Sequence, residues 1–201
     1  MTKKTMIIGF ILVAVISLIL VFSNTADPFD PIEDMRSTLL DSHEVIDIKE
    51  TEAGTMVYSV GRINNNVDNM YFVDMVKKSL IGYKWLGGGG HINRDVGRNE
   101  NFIFSSQLLN ERQNINPTMF GVFADEKIKD IDVLTPDGTY DAIFYDGRSG
   151  EKVYYIPLDN HVSNYMSLIL IITYEDNERV DYIISNDEIS SFQEGKSIYF
   201  Y

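Results

Sequence analysis

Residues 166–174 read MSLILIITY, and this run decides the fold class. Most of its residues are aliphatic at odd and even positions alike, as in a strand that is buried on both faces. The run is too short to cross a bilayer as a helix. We therefore predict a central β-strand here and look for its partner strands elsewhere in the chain.

Short apolar runs of a similar kind recur along the chain, and turn sequences separate them. Residues 44–49 and 55–62 flank a Glu-Ala-Gly turn and predict a β-hairpin. Residues 70–76, MYFVDMV, fit either a strand or a helix. Further strand-like runs lie at 119–123, 128–134, 140–145, 153–156 and 179–185, and the chain ends in SIYFY, a predicted edge strand.

These runs predict a mainly β fold, either an antiparallel sandwich or a partly open barrel with short helices. The short helices are predicted at residues 32–40 and 106–112. In the first of these, Ile32, Met35, Leu39 and Leu40 fall on one helical face.

A second apolar run, MIIGFILVAVISLILVF, begins at Met6, ends at Phe22 and contains no charge. With Thr5 and Ser23 it gives about 28 Å of helix, close to the roughly 30 Å of a hydrocarbon core. A cleaved signal peptide is the alternative. However, the run is longer than such peptides use, and Asn24 stands where cleavage favours a small residue. We predict one uncleaved N-terminal transmembrane helix that acts as a signal anchor.

Basic residues set the predicted orientation of this anchor. Lys3 and Lys4 precede it, whereas the first basic residue after it, Arg36, follows four acidic residues. The positive-inside rule then places the N-terminus in the cytoplasm and the C-terminal domain outside the cell. The predicted organisation is a cytoplasmic tail at 1–5, a transmembrane anchor at 6–23, a linker at 24–31 and an extracytoplasmic β-rich domain at 32–201. The predicted location is the cell membrane, with a single pass.

Composition excludes several classes of function. The chain has 201 residues, of which 17 are basic and 30 acidic, and its net charge is −13. A protein that binds nucleic acid needs clustered Lys and Arg, so no nucleic-acid partner is expected. Cys is absent, which excludes disulfides, Cys-ligated zinc, a thiol nucleophile and a lipid-carrying Cys.

Motifs that would indicate chemistry are incomplete. The glycines at 87–90 lack the Gly-Lys-[Ser/Thr] of a phosphate-binding loop, which favours a bulge or a mobile loop. The three His residues have no metal-ligand spacing, and the acids near 125–137 lack a calcium-loop pattern. Ser149 and Lys152 match Ser-x-x-Lys, but turn residues surround them and no partner motif exists. We therefore predict no enzyme activity, no cofactor and no metal.

Trp85 is the only Trp, and it stands between Tyr83 and the glycines, with His91 directly after them. Large aromatic residues are mostly buried, so Trp85 as core filler is one interpretation. The other is a mobile glycine-rich loop that presents aromatic anchors to a partner. Tyr83, Trp85 and His91 are the candidate partner contacts on that second interpretation.

Residues 79–90, SLIGYKWLGGGG, with MFGVF at 119–123 and EKIK at 126–129, resemble uncharacterised small membrane-anchored extracytoplasmic proteins of Gram-positive, Bacillus-like bacteria. The resemblance implies a compartment and an architecture, but no activity. We therefore predict a membrane-anchored interaction or structural module of the cell envelope, with an envelope protein as its partner. The alternative is an extracytoplasmic sensor or small-ligand-binding domain, because a sandwich or barrel can hold a ligand.

Overall fold

The structure is a computed structural model that describes residues 3–63, 69–92, 104–109, 118–148, 150–158, 168–193 and 198–200. The chain is mainly β, with 59% strand arranged in three antiparallel sheets. The mainly β prediction is therefore confirmed. The sheets do not close into a barrel, because the strand order of each sheet, in the described ranges, ends at two edge strands.

The first sheet is a meander of β1 (Leu40–Glu50), β2 (Thr55–Ile63), β3 (Asn69–Ser79) and β4 (Gly82–Ile92). The predicted hairpin is confirmed as β1 and β2, and the ambiguous run at 70–76 is a strand. The four glycines lie inside β4 and not in a loop. A register shift between Trp85 and Gly87 leaves Leu86 as a bulge.

The second sheet contains five strands, and the third contains four. The second has the order β13 (Ile198–Phe200), β5 (Phe104–Leu109), β6 (Thr118–Phe123), β10 (Lys152–Pro157), β9 (Ile143–Asp146). The third has the order β12 (Arg179–Ile184), β11 (Leu168–Tyr174), β7 (Ile128–Thr135), β8 (Gly138–Asp141). The predicted C-terminal edge strand is confirmed as β13. The helix predicted at 106–112 is wrong over 106–109, which belong to β5, and residues 110–112 lie outside the described ranges.

The second sheet lies between the other two, because side chains of β6 and β10 alternate between two cores. One core joins the first and second sheets and includes Phe120, Val122, Val153 and Tyr155. The other joins the second and third sheets and includes Met119, Phe123, Tyr154 and Ile156. Strands β6 and β10 are thus buried on both faces, as are residues 55–61 of β2 and 71–76 of β3. Residues Leu168–Tyr174 of the run MSLILIITY form β11, an inner strand of the third sheet. Its outer face is covered only in part, because Ile171 is buried but Ile169 is partly buried.

Three helices complete the described chain: α1 (Lys3–Thr25), α2 (Asp30–Arg36) and α3 (Asn186–Gln193). Helix α2 packs on the outer face of the first sheet, where Ile32 contacts Val57 and Val76. It begins at Asp30 with Pro31 in its first turn, where proline costs no hydrogen bond. The predicted linker at 24–31 is therefore partly helical.

The predicted transmembrane helix is not found in this structure. In the portion that the structure describes, none of the helices has both the length and the apolar character that crossing a membrane requires. The large apolar side chains of α1 that the structure describes are nevertheless exposed, and their exposed fractions range from 48% at Ile16 to 81% at Phe10.

Candidate functional site

A buried ion pair joins α2 to the first sheet. Nη2 of Arg36 donates to Oδ1 of Asp74 over 2.7 Å, and the two side chains are 13% and 0% exposed. The indole Nε1 of Trp85 donates to the same oxygen over 2.9 Å. Three elements, α2, β3 and β4, therefore converge on one carboxylate.

The glycines of β4 make room for this carboxylate. Gly88 faces Asp74 across the strand pair, and a Cβ at Gly88 would lie 1.9 Å from Oδ1 of Asp74. A Cβ at Gly90 would lie 2.7 Å from a ring carbon of Phe72. The guanidinium of Arg36 sits 4.0 Å from the centre of that Phe72 ring, a cation–π contact. The glycine run thus accommodates buried side chains through close backbone approach.

Burial dominates the electrostatics of the ion pair. Desolvation raises the pKa of the Asp74 carboxyl, and the charge and hydrogen bond of Arg36 oppose that rise. Oδ2 of Asp74 and Nε of Arg36 have no hydrogen-bond partner among the described residues. A buried pair that is only partly satisfied contributes little net stability, yet removing either partner leaves the other charge uncompensated.

His43 on β1 extends this polar region. Its ring lies 4.6 Å from that of Phe29 and 5.6 Å from that of Phe72, measured between centroids. Its Nε2 shares a 2.9 Å hydrogen bond with Oγ of Ser59. Burial, helped by the positive charges of Arg36 and Arg148, lowers the pKa of His43 to about 4. The imidazole is therefore neutral near pH 7.

A second polar network lies on the opposite face of β3. The Tyr71 hydroxyl donates to Oε1 of Glu151 and accepts the backbone N–H of Arg148 over 3.0 Å. The Arg148 guanidinium donates to Oγ of Ser42 over 3.3 Å and pairs with Glu44 over 2.6 Å. The network therefore ties the first sheet to the segment that connects β9 to β10.

A group of tyrosines fills the space between the first and second sheets. Tyr155 lies 4.1 Å from Tyr58 and 5.6 Å from Tyr145, measured between ring centroids. Tyr145 donates its hydroxyl hydrogen bond to Asp47. The hydroxyls of Tyr58 and Tyr155 are buried and have no partner among the described residues. Burial raises the pKa of all three phenols, so they stay neutral.

The structure brings together two of the three predicted contact residues. Tyr83 and Trp85 pack beside Ile32 under α2, and both are partly buried. His91 lies towards the other end of β4, opposite Tyr71, about 26 Å from Tyr83 at the rise of a strand. Its side chain lies outside the described part. The mobile-loop premise fails because these residues belong to a paired strand, but their contact with a partner stays a prediction.

Sequence reasoning missed Arg36 and Asp74, which hold this region together. The available signal was an acidic residue in the apolar run MYFVDMV, because a lone charge in a buried strand requires a partner. The sequence does not reveal which cation reaches it. Over the described residues, no group of three or more His, Asp or Glu side chains is placed to hold a metal ion.

Comparisons with protein-family models, with curated proteins and with solved structures find no match for this chain. The resemblance to anchored proteins of Gram-positive bacteria therefore stays a prediction.

Proposed function

We propose that the protein is a single-pass, membrane-anchored module of the cell envelope, without catalytic activity. Residues 6–23 form its anchor, and its β domain lies outside the cytoplasm. There it serves an interaction or structural role, with an envelope protein as its partner and no nucleic acid.

The observation that supports this proposal most strongly is the exposure of α1 on all its sides. Ile7, Ile8, Phe10 and Ile11 span one helical turn, and they are 60%, 65%, 81% and 58% exposed. A helix that docks in a groove of a protein hides one stripe and shows polar residues on the other side. An apolar surface on every side is what a lipid environment accepts, because the helix satisfies its own backbone hydrogen bonds.

The connection between α1 and the domain supports a role close to the membrane. Four residues separate α1 from α2, and α2 is fixed to the first sheet by Ile32 and by the Arg36–Asp74 ion pair. The domain is therefore held on a short connection and not on a long flexible tether. Such placement suits a module that works at a constant distance from the bilayer.

The use of the buried polar groups supports a role other than catalysis. Arg36 and Asp74 join α2 to β3, and Tyr71 and Glu151 join the first sheet to the segment that connects β9 to β10. Each of these pairs links two parts of the fold, and a neutral, partly buried His43 is consistent with a structural role.

Site-specific labelling in intact cells tests the topology, because the chain contains no native Cys. A membrane-impermeant maleimide is expected to label a Thr38→Cys variant in intact cells. A Thr2→Cys variant should react only after permeabilisation.

Alkaline carbonate extraction tests the anchor itself. The full chain should stay in the membrane pellet, and so should a matched Val13→Leu/Ile16→Leu variant. A Val13→Arg/Ile16→Arg variant should be released. Reversed labelling, or release of the unaltered chain, would overturn the proposal.

The sensor or ligand-binding alternative is favoured by one observation, the unpaired hydroxyls of Tyr58 and Tyr155 between two sheets. A small polar ligand bound there would receive hydrogen bonds that these groups otherwise lack. A panel of envelope metabolites can be tested by thermal unfolding of the full chain in micelles. An increase in melting temperature that Tyr58→Phe and Tyr155→Phe both abolish would support this alternative, and the absence of any increase would count against it.

A further inference from the structure

The turn between β3 and β4 exposes two apolar side chains. Leu80 and Ile81 are 79% and 78% exposed, and they form a two-residue turn, because Ser79 and Gly82 are the last paired residues of the hairpin. Turns of this length favour Asn, Asp and Gly, which are polar or conformationally free. Here Gly82 adopts a φ of 128°, but the turn geometry gives no reason for Leu and Ile at the tip.

This hairpin tip lies beside the end of α1. Helix α1 contacts β4, and a Cβ placed on Gly82 would lie 3.5 Å from Cβ of Ala26. Ala26 follows the last residue of the predicted anchor, Ser23, by about 5 Å at the rise of a helix. The headgroup layer on each side of a bilayer is about 5–8 Å thick. If residues 6–23 cross the membrane, the tip therefore lies at the level of the lipid headgroups.

Three exposed lysines flank the tip: Lys77, Lys78 and Lys84. Lys77 and Lys84 lie directly opposite each other on the paired strands, an arrangement in which like charges repel. A phosphate group bound between the two ammonium groups would offset that repulsion. The local charge contrasts with a chain whose net charge is −13.

Acidic residues at a similar distance from the membrane limit how strongly electrostatic attraction could hold this region on an anionic lipid surface. Asp27 and Asp30 follow α1 directly, and Glu33 and Asp34 are exposed on α2. These four acids offset the three lysines, so net charge does not draw this region to an anionic surface. The contact therefore depends on the apolar tip, and the lysines act locally on individual phosphates.

We propose that the β3–β4 tip is a second membrane contact of this protein. Leu80 and Ile81 enter the interfacial layer of the bilayer that holds α1, and Lys77, Lys78 and Lys84 contact phospholipid phosphates. This inference rests on the proposed anchor. Two points of contact fix the orientation of the domain on the membrane, which a single helix and a short connection do not achieve.

Fluorescent labels at single Cys residues test the contact in the full chain. An Ile81→Cys variant and an Ile183→Cys control are labelled with an environment-sensitive dye and placed in nanodiscs of phosphatidylcholine and phosphatidylglycerol. Ile183 is a matched control, because it is also 78% exposed but lies on β12 in the third sheet. We expect doxyl-labelled lipid to quench the dye at 81 several-fold more strongly than the dye at 183, with a blue-shifted emission at 81 alone.

Two further results would overturn the inference in different ways. Equal, weak quenching at both positions would show that the tip lies in water. A blue shift at 81 without quenching by lipid would indicate a protein contact, such as a second copy of the chain. In both cases the chain still incorporates into nanodiscs, so the anchor proposal survives, whereas a chain that does not incorporate contradicts the anchor itself.

A second variant tests the contribution of the three lysines separately from that of the apolar tip. Replacing Lys77, Lys78 and Lys84 by Gln together should cause a partial loss of quenching at 81, because the apolar tip stays in place, while the circular dichroism spectrum stays unchanged. Unchanged quenching in that variant would exclude the phosphate contact. A Lys127→Gln/Lys129→Gln/Lys152→Gln variant is the control for the loss of three positive charges elsewhere on the domain.

Discussion

At the scale of single residues, Gly88 has little freedom to change. A Cβ there would meet Oδ1 of Asp74 at 1.9 Å and the backbone oxygen of Val73 at 2.8 Å. Because a backbone atom cannot move aside as a side chain can, we expect Gly88→Ala to lower the free energy of unfolding by about 3 kcal/mol. Chemical denaturation in detergent micelles measures this. Gly9→Ala is the control, since a Cβ at Gly9 meets nothing within 4 Å, and equal stability of the two variants would contradict the packing described.

His43 gives the molecule a predicted pH dependence. Its pKa falls from 6.5 to about 4 on folding, so between these values the unfolded chain binds a proton that the folded chain does not. The free energy of unfolding therefore decreases as pH falls. Ordinary carboxylates titrate below pH 5, so the window from pH 6.5 to 5 isolates His43. Over this window we expect the free energy of unfolding to fall by about 1–2 kcal/mol.

The measurement is urea denaturation of the full chain at several pH values, compared with a His43→Gln variant. Glutamine keeps a hydrogen-bonding group near Ser59 but does not titrate, so the slope in this window should become flatter. If the variant and the unaltered chain have the same slope, His43 does not cause the dependence.

The glycine run shows what the sequence reveals at this scale and what it does not. The missing Gly-Lys-[Ser/Thr] favoured a bulge or a mobile loop. The bulge is found at Leu86, and the mobile loop is wrong because the glycines are paired within β4. The sequence did not show that Gly88 and Gly90 face Asp74 and Phe72, because strand register depends on pairing that is fixed by the whole sheet. Nor did it show that Trp85 donates a hydrogen bond to a buried carboxylate.

At the scale of elements, one buried ion pair joins α2 to the first sheet, beside the packing of Ile32. Arg36→Leu leaves the Asp74 carboxylate buried without its cation, and we expect it to cost about 3–5 kcal/mol of unfolding free energy. The double variant Arg36→Leu/Asp74→Leu leaves no buried charge, so it should cost much less than the sum of the two single variants. Denaturation in micelles completes this double-mutant cycle, and additive costs would show that the pair does not act as a unit.

The elements that were predicted correctly are those with a local signal. The hairpin of β1 and β2 has alternating side chains around a clear turn, and Ile198–Phe200 within the terminal SIYFY form the edge strand β13. Residues 106–109 were predicted helical, but they pair as β5 with β6, a contact between segments that the local pattern cannot show. The sequence also predicts β11 as a central strand buried on both faces. It is an inner strand of the third sheet, but its outer face is covered only in part, since Ile171 is buried and Ile169 is not fully so.

At the scale of the whole molecule, the second sheet contributes to both large cores, so the three sheets should unfold together. Ile172 belongs to the core between the second and third sheets, and Trp85 packs under α2 on the far side of the first sheet. We expect Ile172→Ala to lower the free energy of unfolding by about 2–4 kcal/mol. Because unfolding is cooperative, the transition seen by Trp85 fluorescence should shift as far as the one seen by circular dichroism.

Because Trp85 is the only Trp, the fluorescence transition reports on one place in the fold. Val57→Ala is the matched control, because Val57 packs beside Trp85 in the cluster under α2 and should move both transitions in the same way. If Ile172→Ala shifted only the circular dichroism transition and left the Trp85 transition in place, the first sheet and α2 would unfold independently. The middle sheet would then not couple the two cores.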